Sequence, residues 1–563
     1  MPDTSLQHTR EELAQREVGR TNIGRWTAWI LVAQFVLVVG GVLVSEILNP
    51  ESPDNLESRL SRLVGAILTP SSESGSPALS TLSRMVSRNR TIIRELERFG
   101  DGAEDETRLA RTLRPPTQYV LAGLGAGNEQ VYTGHRPWLF YRQSFDYLAG
   151  PGFLEPRQLA RRGAPGDLGA TLQPDPRKAV LKLKTDLDER GIQLVVMPTP
   201  VKPTIHPEHF ARRYEGREEP LRPDSFATFV LELEEQGVLV FDAAPALAEA
   251  KRRTGTSQYL ETDTHWRPEA MQLVAARLSD FVARHVDLPP QPPVGYISER
   301  DEVTNLGDVA RMLDLPEEQF RYPTESVELR QIHTAEHELW RPSRAADVLL
   351  LGDSFSNIYS LGEMNWGESA GFAEQLSFLM QRPIDRIVQN ADGAYATQEQ
   401  LGRELAGGSD RLEGKRLVIF QFAERELAVG DWRLVDLSLG EAAPGQFYVP
   451  NAGEEVVVSG TVQEIAPIPR PGTVPYADHI AALHLVDLES ERDHVNGRQS
   501  VVYIWGMRNH ILQEAAGFRA GDRITVLLRP WSDVAVQYDG INRTELENED
   551  AQFEVPAWSE VVN

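Results

Sequence analysis

Hydrophobic and polar positions follow four different rhythms along this chain. Over Trp26–Val44 the sequence reads WTAWILVAQFVLVVGGVLV, 19 residues without a charge. As a helix this run covers roughly 28 Å, about the thickness of a bilayer's hydrocarbon core. Trp26 and Trp29 stand at one end, where interfacial aromatics gather. A buried soluble helix and a cleaved leader are the competing readings. The run is longer than a leader's apolar stretch of about 7–15 residues, and no small-residue cleavage pattern follows it. Arg10, Arg16, Arg20 and Arg25 precede it, and the first Arg after it is Arg59. The positive-inside rule therefore predicts a cytoplasmic segment at 1–25, an uncleaved transmembrane helix at 26–44 and the bulk of the chain across the membrane, a single-pass type II arrangement.

Beyond the anchor, apolar residues recur at helical spacing over 56–68 and 81–99, with the Ser/Pro-rich Thr69–Pro77 between them, so 45–117 reads as a helical stalk with a break. From 118 to 434 the rhythm changes. Apolar, β-branched runs at Ile192–Met197, Val238–Phe241, Val348–Leu351, Ile384–Val388 and Leu417–Phe420 alternate with helical patterns at Arg177–Glu189, Ser225–Glu235 and Pro268–Ala283. This predicts an α/β domain, a mostly parallel sheet flanked by helices, with functional groups at the carboxyl ends of its strands. Over 435–550, Glu455–Val462, His479–Val486, Ser500–Trp505 and Arg523–Leu528 are short runs separated by turn residues, predicting a small all-β domain, an OB-like barrel or a sandwich. Residues 551–563 read as a tail.

Composition narrows the function. A chain of 563 residues exceeds what one hydrophobic core supports. The absence of Cys removes disulfide scaffolds, thiolate metal sites and thiol nucleophiles. The net charge of −26 argues against a nucleic-acid partner. From Asp436 onward there are 20 acidic and 8 basic residues, so the surplus is concentrated at the C-terminal end.

Two segments carry candidate chemistry. Val348–Ser356 reads VLLLGDSFS, a buried strand running into a Gly-Asp-Ser turn. A Ser placed there presents its hydroxyl at the functional edge of a parallel sheet; an ordinary turn Ser or helix N-cap is the competing reading. A Ser nucleophile needs a base, and the base needs an orienting group. Thr262–Pro268 reads TDTHWRP. Asp263 and His265, two apart in an extended segment, point the same way, and Pro268 suits the first turn of a following helix. Asp263 then holds Nδ1 of His265, leaving Nε2 to take the Ser354 proton; a capping Asp beside a surface His is the alternative. Metal ligation, with His206 and His209 contributing, is disfavoured because the nearby carboxylates form no ligand set. No metal and no cofactor is expected.

Together, DTHW at 263–266, LLLGDSFS at 349–356, GHRPWLFY at 134–141 and VMPTPVK at 196–202 resemble the SGNH-hydrolase-like domain of alginate O-acetyltransferases of the AlgJ/AlgX type, over roughly residues 128–430. The resemblance implies acyl transfer outside the cytoplasm, in the periplasm of a bacterium with the chain anchored in the inner membrane. It maps a Ser-His-Asp set onto Ser354, His265 and Asp263. It also implies a polysaccharide acceptor and a multispanning membrane acyltransferase as acetyl source.

For the oxyanion formed at Ser354, the backbone N–H of Ser354 is one donor, and Asn390, resembling the hydrolases' strand-end Asn, is a candidate second. Tyr359 and Lys202 are candidates to line the acceptor site, against scaffold or solvated roles. Tyr448, Tyr476, Trp505, Trp531 and Tyr538 are candidates to stack on sugar faces, with about half of them expected in the core. The acidic surplus favours an exopolysaccharide other than the polyanion alginate. An esterase using the same triad and a non-catalytic scaffold of a polysaccharide export complex are the rival functions.

Overall fold

The structure, a computed structural model, describes residues 108–163, 173–316, 318–360, 362–390, 393–406, 410–440, 447–471, 474, 476–492, 495, 498–538, 540–546, 551 and 554–562. The expected span at 26–44 and the stalk up to residue 107 lie outside the described residues. Among the described residues no helix is long and apolar enough to cross a membrane. The chain divides into Met1–Thr117, nearly all of it outside the described residues, and Gln118–Asn563, which holds everything below.

Among the described residues, nine strands precede the C-terminal module. β1 (Val131–Thr133) and β2 (Leu139–Tyr141) form a small hairpin, and β5 (Ile297–Asn305) and β6 (Glu325–His333) a longer antiparallel one. The other five are β3 (Gln193–Thr199), β4 (Leu239–Val240), β7 (Val348–Gly352), β8 (Asp385–Val388) and β9 (Leu417–Ala423). They form one parallel sheet in the order β4-β3-β9-β7-β8, which is the predicted α/β core. Side chains alternate between two hydrophobic cores. Val195, Met197, Leu350 and Ile419 enter one; Leu194, Val196, Leu349, Leu351, Val418 and Phe420 enter the other. Burial on both faces is why these strands read as unbroken apolar runs.

Helices cover each face. α1 (Pro176–Glu189) and α2 (Asp224–Glu235) bury Val180, Leu183, Leu187, Phe226, Phe229 and Leu233 in the second core. α3 (Pro268–His285) buries Met271, Val274 and Leu278 in the first. Pro268 occupies the opening turn of α3, where its missing N–H would have had no partner in any case.

In the C-terminal module, β10 (Val456–Ile465), β11 (His479–Glu489), β12 (Ser500–Arg508), β14 (Arg523–Pro530) and β16 (Ala557–Val561) pair in the ring β10-β11-β12-β16-β14, which closes back on β10. Short β13 (Ile511–Leu512) and β15 (Arg543–Thr544) attach at its margins. The ring selects the barrel from the two expected forms. Two expectations need correction. Ala557–Val561, read as part of a tail, is the strand that closes the barrel, with Trp558 buried. The module is also not purely β: Trp531–Tyr538 forms a helix between β14 and β16.

Candidate active site

The site is assembled at the carboxyl ends of β7, β8 and β9. Gly352 ends β7 where a Cβ would meet Ser356 Oγ at 2.7 Å, so the chain turns there without a side chain. Ser354 then opens the short helix Ser354–Asn357. Asp353 is fully engaged: its carboxylate accepts from Phe355 N at 2.9 Å, Gln421 Nε2 at 2.8 Å and Ala423 N at 2.7 Å. It ties the turn to β9. The DTHW segment is fastened to the same turn through Trp266, whose indole N–H donates to the Phe355 carbonyl at 3.1 Å.

These ties bring the three predicted residues together. Ser354 Oγ lies 2.8 Å from His265 Nε2, and His265 Nδ1 lies 2.7 Å from Asp263 Oδ1. Asp263 also accepts from His265 N at 3.1 Å, from Asp308 N at 2.9 Å and from the Trp366 indole at 3.0 Å. Burial disfavours the Asp263 carboxylate, but these hydrogen bonds and the imidazole outweigh it and hold its pKa well below the usual range. Burial likewise pulls the His265 pKa down, and the Asp263 hydrogen bond and charge, with Asp308 adding, reverse the shift to a net rise. Nδ1–H thus faces Asp263 and Nε2 faces the hydroxyl, the arrangement of a general base.

Asp308 was not singled out from sequence. Its Oδ2 lies 3.8 Å from His265 Nδ1, and burial beside the Asp263 charge pushes its carboxyl up to about 6. Its approach is tertiary: a Cβ on the preceding Gly307 would meet the Thr262 carbonyl carbon at 2.2 Å, so only Gly permits the approach to DTHW.

A cleft of about 470 Å³ opens over Ser354 and His265. Tyr141, Trp366, Asn390, Arg425 and Glu426 line it from the α/β domain, and Tyr476, Asp478 and Asn542 from the barrel. Asn390 is there as expected, but its amide N–H donates to the Gly540 carbonyl at 2.9 Å. Arg425, also unforeseen, keeps Nη1 buried without a hydrogen-bond partner among the described residues. Glu426 is raised to about 7 by burial, against the pull of Arg425.

Two expected lining residues are placed elsewhere. Lys202 is buried, donating to the carbonyls of Leu139 at 2.7 Å and Glu261 at 3.2 Å; it holds β2 against the DTHW loop. Tyr359 is fully buried behind the turn and donates to the Trp266 carbonyl at 2.6 Å. Of the five barrel aromatics only Tyr476 lines the cleft. Trp505, Trp531 and Tyr538 gather round the Trp558 ring at 5.5, 6.1 and 4.6 Å, and Tyr448 is buried.

His206, Glu208 and His209 do lie within ligand distance of one another. His206 already accepts from Gln258 N at 3.0 Å and faces Glu208 at 3.1 Å, and Lys251 Nζ is 2.8 Å from the same Glu208 oxygen. A lysine ammonium thus already neutralises the carboxylate.

A parallel sheet carrying Ser354 at a strand's carboxyl end, with Asp263 and His265 ahead of it in the chain, defines an SGNH-hydrolase-like α/β domain. The family model described as "SGNH hydrolase-like domain, acetyltransferase AlgX" matches residues 131–424, just over half of the chain, and the chain belongs to that family. Among curated relatives, it is 26% identical over 337 residues to the probable alginate O-acetylase AlgJ of Pseudomonas aeruginosa, covering 57% of this chain and 75% of that one. It is 24% identical over 344 residues to the same-named protein of Pseudomonas fluorescens, covering 60% and 76%. Among solved structures, it is similar to the O-acetyltransferase domain of Pseudomonas putida AlgJ, with 21% identity, TM-score 0.40 and coverage of 53% of this chain and 92% of that one. Pseudomonas aeruginosa AlgX follows with 13% identity, TM-score 0.38, 71% and 90%.

Proposed function

We propose that the protein is a membrane-anchored O-acetyltransferase that acetylates a polysaccharide outside the cytoplasm through Ser354, His265 and Asp263. The observation that carries this is the chain of contacts from Asp263 to His265 to Ser354, at 2.7 and 2.8 Å, beneath a cleft. Family membership supplies acetyl as the group transferred.

In this reading Ser354 Oγ attacks the carbonyl carbon of an acetyl donor while His265 Nε2 takes the hydroxyl proton. The tetrahedral oxyanion faces the Ser354 backbone N–H, and the donor group leaves with the proton held on His265. A sugar hydroxyl then attacks the acyl-serine, giving its proton to Nε2. Collapse releases the acetylated sugar, and the proton returns to Ser354. Asp263 stays ionised and steadies the imidazolium throughout. The acetyl donor is a multispanning membrane acyltransferase. Residues 26–44 anchor the chain in the bacterial inner membrane with the catalytic domain in the periplasm. The full chain should therefore pellet with membranes and resist alkaline extraction.

The test is intact-protein mass spectrometry after incubation with an activated acetyl ester. The parent should gain one acetyl group on Ser354, and Ser354→Ala should gain none and transfer nothing to oligosaccharide. An acyl-enzyme that added oligosaccharide does not discharge faster than water does would identify an esterase. No adduct at all would favour the scaffold.

A further inference from the structure

We propose that the C-terminal barrel is the acceptor wall of the cleft, with the side-chain amide of Asn542 hydrogen-bonding a hydroxyl of the sugar acceptor. This rests on the polysaccharide-acceptor reading above. Asn542 lines the cleft and is only 2% exposed. Among the described residues neither its Oδ1 nor its Nδ2 has a hydrogen-bond partner. Native folds rarely leave a buried amide unpaired, because it has given up water for nothing. At the wall of a cleft, a ligand hydroxyl can supply the missing partner. A primary amide both donates and accepts, as a sugar hydroxyl does.

The position of Asn542 is built in, not incidental. Two residues before it, the Gly540 carbonyl accepts from Asn357 Nδ2 at 3.0 Å and from Asn390 Nδ2 at 2.9 Å. Asn357 ends the helix that Ser354 begins. One residue after it, Arg543 Nη2 donates to Gln400 Oε1 at 2.6 Å. The loop bearing Asn542 is therefore clamped on both sides to the α/β domain, and its distance from the nucleophile is set by hydrogen bonds. The family match covers residues 131–424, so the barrel and this wall lie outside the matched residues. Asp478 beside it offers a further acceptor for sugar hydroxyls. The cleft as a whole carries Asp263, Asp308, Glu426, Asp431 and Asp478 against Arg311 and Arg425, which favours a neutral sugar.

The test uses the full chain in detergent carrying Ser354→Ala, so that bound sugar is not turned over. Calorimetric titration with a neutral β-linked glucose hexasaccharide and with a mannuronate hexasaccharide identifies which binds. Adding Asn542→Ala should weaken that binding by about tenfold, the loss expected for one hydrogen bond to a buried partner. With Ser354 restored, the acceptor KM should rise by a similar factor while kcat falls far less. The melting temperature should stay level or rise, since the amide has no partner to lose. A bound sugar whose affinity ignores Asn542→Ala overturns the proposal alone, as does a melting temperature lowered by more than about 5 °C, which would mark the amide as structural. Failure of both sugars to bind the Ser354→Ala protein counts against the carbohydrate reading itself, and the proposal falls with it.

Discussion

The Trp366 indole donates to Asp263 Oδ2 at 3.0 Å, so the carboxylate that carries His265 on one oxygen is held by a ring from a distant loop on the other. Trp366→Phe keeps most of the ring and removes the donor. Asp263 then becomes less acidic and, with Oδ2 held by one donor fewer, orients His265 less firmly. We expect kcat/KM for an acetyl ester to fall by about tenfold with the fold intact, equivalent to about 1.4 kcal/mol. Unchanged kinetics would leave the indole a packing role only.

The pH profile follows from the charges round His265. The base must be neutral to accept a proton, and Asp263 and Asp308 outweigh burial to raise its pKa. The rate should therefore rise with pH through an ionisation above the usual histidine value. Asp308→Asn removes one of the raising charges but keeps the backbone N–H that donates to Asp263, so the limb should move to lower pH. A limb that stays in place in this variant would show that Asp308 does not act on the imidazole.

Lys202 makes a stability prediction instead of a kinetic one. Burial lowers its pKa to about 8, despite nearby carboxylates led by Glu325. The unfolded chain keeps this amine protonated to about 10.4. A depressed folded pKa means stability is present above the unfolded value and lost as pH falls through the folded one. Compared with Lys202→Met, the parent should thus gain stability on the order of 3 kcal/mol as pH rises from about 8 to about 10.5. Urea denaturation of both proteins across that range measures the difference; parallel curves would mean the amine is not desolvated.

Salt separates the two kinds of acceptor. Five carboxyl groups face two guanidinium groups across the cleft, and even with Glu426 raised to about 7 the balance stays negative, so a polyuronate should be repelled and a neutral glycan should not. Raising salt from about 20 to about 200 mM should lower the KM of an oligomannuronate several-fold and leave that of a neutral oligosaccharide nearly level. A polyuronate KM that rises with salt would reverse the sign assigned to the cleft.

The sequence revealed what is periodic and buried. The strands of the parallel sheet were legible because they are buried apolar runs, Ser354 because it follows the end of such a strand, and Asp263 and His265 because they stand just ahead of a Pro-initiated helix. The β5–β6 hairpin was not, since Ile297–Asn305 is largely exposed and carries no apolar alternation. Ala557–Val561 escaped because one short strand, following an acidic stretch, has no rhythm of its own and acquires meaning only when it closes a ring. Lys202 and Tyr359 were misplaced for a related reason: a strand-end position says that a side chain lies near the site, not on which side of the backbone it falls. Asp308, Trp366, Arg425 and Asn542 meet the site only through tertiary contacts.

The Gly540 carbonyl, shared by Asn357 and Asn390, makes the junction between domain and barrel unsuitable for cutting. A chain stopped at residue 434 would be a complete α/β domain on paper. Yet two amides beside the nucleophile would face water where a carbonyl had been, and one bank of the cleft would be gone. The two modules are therefore a single structural unit: exchanging the barrel for another domain disturbs the turn that carries Ser354 as well as the opposite bank of the cleft.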